Sequence, residues 1–261
     1  MSNNSYDRYC DKLRTTAIEA GEKIMDVRNG NIKVSYKDDS SPVTLADQAA
    51  EDIILRDLNE LTPEIPIVAE ESASNGDIPD VADIFWLVDP LDGTKEFISG
   101  GTDFTVNIAL IEDGKPTFGI IYTPALGDIY IARNPSTATL QKVVNGVCVG
   151  AETSIHVRKA DTDNLTALAS KSHLDDDTKA FLEDLGIKDK TSAGSSLKFC
   201  VVAVGDADIY PRFGPTMEWD IAAGHAILSA AGGSLTNPDG SPFQYSKPNF
   251  RNGAFIAKGE F

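Results

Sequence analysis

The sequence predicts a layered α/β (α+β) sandwich, and three observations predict it. Helical and strand periodicities alternate along the whole chain, two short apolar strands run straight into acidic residues, and an antiparallel meander occupies the first half. From Tyr9, the apolar residues Leu13, Ala17, Ala20 and Ile24 recur at helical spacing, with Gly30 just beyond the end. Thr44 caps a second helix whose apolar stripe is Ala46, Ala50, Ile53, Ile54, Leu58 and Leu61. Asp47 stands in its first turn, where the helix dipole favours an anion, and Pro63 and Pro66 close it. The stretches IVAEE (67–71) and FWLVDPLDG (85–93) are short strands that deliver carboxylates to strand ends. Between Phe104 and Arg133 the meander turns at 112–115 and 124–127, and a further hairpin is expected at Asn145-Gly146. The signals are weakest from 135 to 163, read as the junction between two halves, 1–150 and 151–261. Beyond it come a strand at 166–170, helices at 175–185 and 195–204, a strand at 207–213 and a helix at 220–231.

Composition bounds the function classes. A chain of 261 residues with 41% apolar and 24% charged residues can build a globular core in one or two domains. Forty acidic against 23 basic residues give a net charge of −17, which argues against generic binding to a nucleic-acid polymer or an anionic membrane. No apolar run approaches the roughly 18 residues of a membrane span, and the N-terminus lacks a signal peptide's apolar region. The expectation is a soluble cytoplasmic protein, monomer or homodimer, with peripheral attachment at the inner membrane left open. Cys10, Cys148 and Cys200 are scattered and odd in number, fitting neither a disulfide framework nor a zinc site.

The chemistry lies in the acids. Taken singly, Asp92-Gly93 is a turn signal and Glu70-Glu71 a solvated loop. Context changes this for Asp89, which follows Phe85-Trp-Leu-Val88 at the edge of a buried strand, where a lone charge is costly and a cation would relieve it. Pro90 stiffens the turn, Asp92 can point back toward Asp89, Gly93 allows a close backbone approach and Thr94 adds a hydroxyl. Carboxylates and carbonyls without adjacent His or Cys select a hard cation, of which Mg²⁺ is the one commonly shared with a phosphate. His156, His173 and His225 are remote in sequence, and the acids do not follow a calcium-loop pattern. Phosphate monoesters need accelerations of up to about 10²¹-fold, and paired metals can serve both the attacking and the leaving oxygen.

Four ordered matches, Pro42-Val-Thr-Leu-Ala-Asp47, Ala69-Glu-Glu-Ser72, Asp89-Pro-Leu-Asp-Gly-Thr94 and Trp219-Asp-Ile-Ala-Ala-Gly224, resemble the lithium-sensitive, magnesium-dependent superfamily of inositol monophosphatase and fructose bisphosphatase. Lys95-Glu-Phe-Ile98, Gly194-Ser-Ser-Leu-Lys-Phe-Cys200 and Tyr210-Pro-Arg-Phe-Gly-Pro-Thr216 are similar to its CysQ-type 3′(2′),5′-bisphosphate nucleotidase branch. Ala69 departs from the Gly or Ser of many relatives. The resemblance implies the superfamily's sugar-phosphatase fold, with most metal ligands in residues 1–150 and the substrate site and Asp220 in 151–261. It implies two or three Mg²⁺ ions held by Glu70, Asp89, the Leu91 carbonyl, Asp92 and Asp220, and a water activated near Glu70 with Asp47 and Thr94 as helpers. It also implies hydrolysis of adenosine 3′,5′-bisphosphate, a by-product of sulfate transfer in sulfur metabolism. Glu70, Leu91, Asp92, Gly93, Thr94 and Asp220 would meet the substrate, and Ser195, Lys198, Arg212 and His173 would hold the phosphate that is not cleaved. The ordinary alternative is that Lys198 is a solvated helix residue and His173 a loop residue. The rivals are an inositol or other sugar monophosphatase and, from another class, an inactive metal-binding regulatory protein, against which the complete set of acids weighs.

Overall fold

The computed structural model describes residues 3–30, 34–36, 42–170, 175–187 and 189–261. Its helices are α1 (Asn3–Asn29), α2 (Leu45–Leu61), α3 (Glu70–Ser74), α4 (Thr94–Ile98), α5 (Asp176–Asp184), α6 (Leu197–Ala203) and α7 (Glu218–Ala230). A seven-stranded sheet runs from Ile67–Ala69 through Ile84–Asp92, Thr105–Glu112, Lys115–Thr123, Asp128–Asn134 and Thr137–Val144 to Val147–Ser154, with spatial order following chain order. Its first pair is parallel and the rest antiparallel, which is the expected meander extended by two strands. A five-stranded sheet orders Asp189–Ala193, Thr166–Ser170, Ile209–Arg212, Phe255–Lys258 and Ser234–Thr236.

Strand Ile84–Asp92 shows how the layers form. Phe85 and Leu87 join a core with α6 and α7, while Trp86 and Val88 join a second core with α1 and α2. Side chains alternate across a strand, so a strand covered on both faces reads as one continuous apolar run. The layers are therefore α1 and α2, the large sheet, α6 and α7, the small sheet, and α5, whose Leu182 packs with Ala167 and Ile209. This is the layered sandwich the alternation predicts. At Gly119 a Cβ would stand 2.8 Å from the Ala223 carbonyl, so glycine lets α7 lie directly on the sheet.

Within the stretch of weakest signals, 135–163, residues 137–154 are the last two strands of the large sheet, joined by the expected hairpin at Asn145-Gly146 with both residues in left-handed conformation. The outer strand Val147–Ser154 is mostly exposed, so no buried face imposed a clear alternation on it. Among the described residues, no helix is long and apolar enough to cross a membrane. Cys10, Cys148 and Cys200 are free.

Candidate active site

Two parallel strands, Ile67–Ala69 and Ile84–Asp92, run side by side, with Ala69 paired to Val88. The parallel pairing stops there, and Glu70 and Asp89 follow it directly. Pairing with the next strand matches Asp89 to Asn107 and Asp92 to Thr105, so three steps on one side face two on the other. That extra residue is a β-bulge at Pro90-Leu91, where proline has no N–H to give to the ladder. In a regular strand residues 89 and 92 would face opposite sides; the bulge turns both toward α7. Gly93 follows at φ +92°, and a Cβ there would lie 2.8 Å from the Asp103 carbonyl. Asp220 comes from the first turn of α7, its Oδ2 accepting the Met217 N–H at 2.8 Å.

Glu70, Asp89, Leu91, Asp92, Gly93, Thr94 and Asp220 thus line one cavity of about 610 Å³, together with Lys198, Arg212 and the 194–196 turn. Burial raises the Asp89 and Asp220 carboxyls well above the usual range, and the neighbouring carboxylates add to it. Glu70 is among the neighbours that push Asp89 up, by its charge and by its hydrogen-bonding reach. Asp92 is pushed up to about 6 by burial, opposed by the Lys198 charge and the Ser196 N–H. Among the described residues, no three His, Cys, Asp or Glu side chains form a group that could hold a metal ion as placed. What the cavity offers is a set of oxygen donors with mutually repelling charge and no imidazole or thiol in its described lining. Such a set suits a hard cation such as Mg²⁺. His225 is buried elsewhere against the Tyr245 hydroxyl, and its pKa is lowered to about 3 by burial.

Asp47 does not line the cavity. Its Oδ2 accepts the Thr44 N–H and Oγ1–H at 2.7 and 2.8 Å, completing the cap of α2, and its Oδ1 accepts the Thr94 hydroxyl at 3.2 Å. It therefore acts through Thr94, whose hydroxyl also lies 3.2 Å from the Leu91 carbonyl. One turn along α2, wholly buried Glu51 accepts the Glu71 N–H and the Ser72 N–H at 2.8 Å each and the Ser72 hydroxyl at 2.6 Å. Glu51 ties down the turn that carries Glu70. The sequence reading missed it, although an acid four residues beyond Asp47, inside an otherwise apolar stripe, is the signal that could have found it.

The cationic wall differs from the expected one. α6 begins at Leu197, with Ser195 at φ +46°, and the Ser196 N–H donates to Asp92 Oδ2 at 2.5 Å. The helix expected from 195 thus starts two residues later, and the Ser196 N–H is taken by a carboxylate. The Ser196 hydroxyl bonds Thr105 and Asn107, fastening this turn to the large sheet. Lys198 is no solvated helix residue: it is 4% exposed, its ammonium donates to the Ala193 and Ser195 carbonyls at 3.3 and 2.6 Å and lies over the Tyr210 ring. Burial lowers its pKa to about 8. Arg212 lines the same wall, its Nε and Nη2 donating to the Gly214 and Pro215 carbonyls. His173 lies outside the described residues.

Carboxylates where two parallel strands stop pairing and on the first turn of a helix laid over the same sheet, opposite a cationic wall, define a phosphatase-type site. The chain belongs to the inositol monophosphatase family, whose sequence profile matches residues 7–259. It is 46% identical over 242 residues to the 3′(2′),5′-bisphosphate nucleotidase CysQ of Salmonella typhimurium, covering 92% of this chain and 95% of that protein. It is 43% identical over 248 residues to the CysQ of Escherichia coli, covering 94% and 97%. The crystal structure of CysQ from Bacteroides thetaiotaomicron, described as a bacterial member of the inositol monophosphatase family, superposes with a TM-score of 0.78 at 37% identity, covering 94% of this chain and 95% of that one.

Proposed function

We propose that this chain is a magnesium-dependent 3′(2′),5′-bisphosphate nucleotidase that hydrolyses adenosine 3′,5′-bisphosphate to AMP and phosphate. One observation carries the reading: four carboxylates from three separate segments, Glu70, Asp89 with Asp92, and Asp220, share a cavity whose facing wall bears Lys198 and Arg212. The likeness to proteins named for this activity over nearly the whole chain supports it. Glu70, Asp89, the Leu91 carbonyl, Asp92 and Asp220 would hold two or three magnesium ions. Bound there, magnesium supplies charge neutralisation for the phosphate and acidifies water.

The chain's own residues do the rest. Glu70 accepts a hydrogen bond from the attacking water. Thr94, its hydroxyl proton directed to Asp47 and the Leu91 carbonyl, keeps oxygen lone pairs available to that water. The water oxygen bonds to phosphorus as the bond to the ribose 3′-oxygen breaks; the proton the water gives up passes to Glu70 and on to solvent, and the leaving oxygen takes one proton from solvent water. Lys198 and Arg212 bind the 5′-phosphate, with Ser195 at the rim, so the second phosphate orients the first. A phosphate-release panel with magnesium tests the reading: adenosine 3′,5′-bisphosphate should exceed inositol monophosphate and fructose bisphosphate in kcat/KM by about 10²-fold or more. Preference for inositol monophosphate would replace it with the sugar-phosphatase reading.

A further inference from the structure

Arg212 stands at the end of a strand, and the loop after it, 213–215, has no regular structure to hold its shape. That loop is gripped from the start of α5, whose capping residue Asp175 lines the same cavity on the side of Arg212, Gly214 and Pro215. The Gly214 N–H donates to Asp175 Oδ2 at 3.0 Å, and the Phe213 N–H donates to the Thr178 hydroxyl at 3.2 Å. Thr178 in turn donates its hydroxyl to Asp175 Oδ2 at 2.9 Å, while Asp175 Oδ1 accepts the Thr178 N–H at 2.7 Å as the cap of α5. The Phe181 and Phe213 rings lie 5.5 Å apart and close the same contact. The gripped loop then holds the guanidinium, through the Gly214 carbonyl at 3.2 Å from Nε and the Pro215 carbonyl at 3.4 Å from Nη2. A Cβ on Gly214 would sit 3.2 Å from Asp175 Oδ2 and 3.4 Å from Arg212 Nε, so the glycine is wedged between grip and guanidinium.

We infer that Asp175 and Thr178 are positioning residues for the uncleaved phosphate: they fix the loop whose carbonyls aim Arg212, and so set the preference for a bisphosphate over a monophosphate. This rests on the reading of Arg212 given above. A long guanidinium side chain loses much rotamer freedom on binding, and carbonyls fixed in advance remove part of that cost.

Two variants separate aiming from folding. Thr178→Val keeps shape and helix but removes the hydroxyl; Asp175→Asn keeps a capping oxygen for Thr178 but can set an amide NH₂ where Gly214 needs an acceptor. Each is assayed on adenosine 3′,5′-bisphosphate and on 3′-AMP, alone and combined with Arg212→Ala. The ratio of the two kcat/KM values is independent of the folded fraction. We expect that ratio to fall about three- to tenfold in each single variant, through KM for the bisphosphate, and to fall no further when either change is added to Arg212→Ala. An unchanged ratio in both variants, or full additivity with Arg212→Ala, overturns the inference while leaving the function standing. If Arg212→Ala itself weakens both substrates equally, the assignment of the second phosphate fails, and the grip falls with it.

Discussion

The two walls of the cavity are built differently. The acidic wall hangs on regular elements: Glu70 and Asp89 where two parallel strands stop pairing, Asp92 beyond a bulge, Asp220 in a helix's first turn. The cationic wall carries Lys198 on α6 and Arg212 at a strand end, but their charged heads are held by the carbonyls of Ala193, Ser195, Gly214 and Pro215, the last three in irregular segments. Groups on sheet and helix termini keep their geometry when loops vary, and loops are where recognition changes. Under the proposed function the first wall carries the reaction and the second the choice of substrate.

The sharpest way to break that division is to remove a carboxylate. Asp89→Asn or Asp220→Asn should lower kcat by at least about 10³-fold on every substrate, bisphosphate or not. In chelator the same variants should melt higher than the parent, because one of several repelling buried charges is gone. The pH sign follows. Asp89, Asp92 and Asp220 have folded-state pKa values raised above the unfolded ones, so the folded protein binds more protons. Metal-free stability is therefore fully present below about pH 4 with respect to these groups and is lost as pH rises, for Asp92 through about 6. Tm in chelator should fall between pH 5 and 8, and Asp89→Asn should flatten the slope. A variant with near-normal kcat would strip that residue of its role.

Glu51 probes the same wall from behind. Glu51→Gln leaves one acceptor for Ser72 and sets an amide N–H against the Glu71 N–H. A loss of about 10- to 100-fold in kcat, equal on bisphosphate and monophosphate, is expected, with more magnesium needed for half-activation. Loss confined to the bisphosphate would move Glu51 to the other wall.

This contrast also explains what could be read from the chain. The Asp89-Pro-Leu-Asp-Gly run was legible because each residue answers a local need: an apolar strand, a bulge without an N–H, a turn at positive φ. The cap at Thr44 and the meander were legible for the same reason. The helix was read as starting at Ser195 rather than Leu197 because the real partners of Ser195 and Ser196, which are Asp92, Thr105 and Asn107, lie about 90 to 104 residues away. Lys198 could pass for a solvated residue because nothing local shows that its ammonium is roofed by Ala193, Ser195 and Tyr210. The strands at 137–154 lacked a clear pattern because one of them is largely exposed.

Next in size comes the cationic wall itself. Lys198→Ala and Arg212→Ala should each cost about 1.5–3 kcal/mol on the bisphosphate, a tenfold to hundredfold fall in kcat/KM, because each removes a charge-assisted contact. On 3′-AMP the change should stay within about twofold. Parallel kinetics on the two substrates check this, and equal losses would mean that the two walls are one.

The smallest effect sharpens the comparison without removing a side chain. Burial pulls Lys198 down to about 8, against the opposing pull of the Asp92 carboxylate. A cation bound at Asp92 would cancel that pull and lower Lys198 further, whereas a phosphate beside the ammonium would raise it. In the free enzyme the ammonium therefore loses its charge as pH rises from 7 to 9, but in the substrate complex it keeps it. Because kcat/KM reports groups of the free enzyme and kcat those of the complex, only the former should fall over this range. The fall should be about three- to tenfold for the bisphosphate and absent from the ratio's denominator, 3′-AMP, which cancels any titration at the acidic wall. Lys198→Arg, charged at every pH in the range, should abolish the slope even if the larger head weakens binding throughout. A ratio flat from pH 7 to 9 in the parent would show that Lys198 serves the fold of the 193–196 turn, leaving Arg212 to recognise the second phosphate.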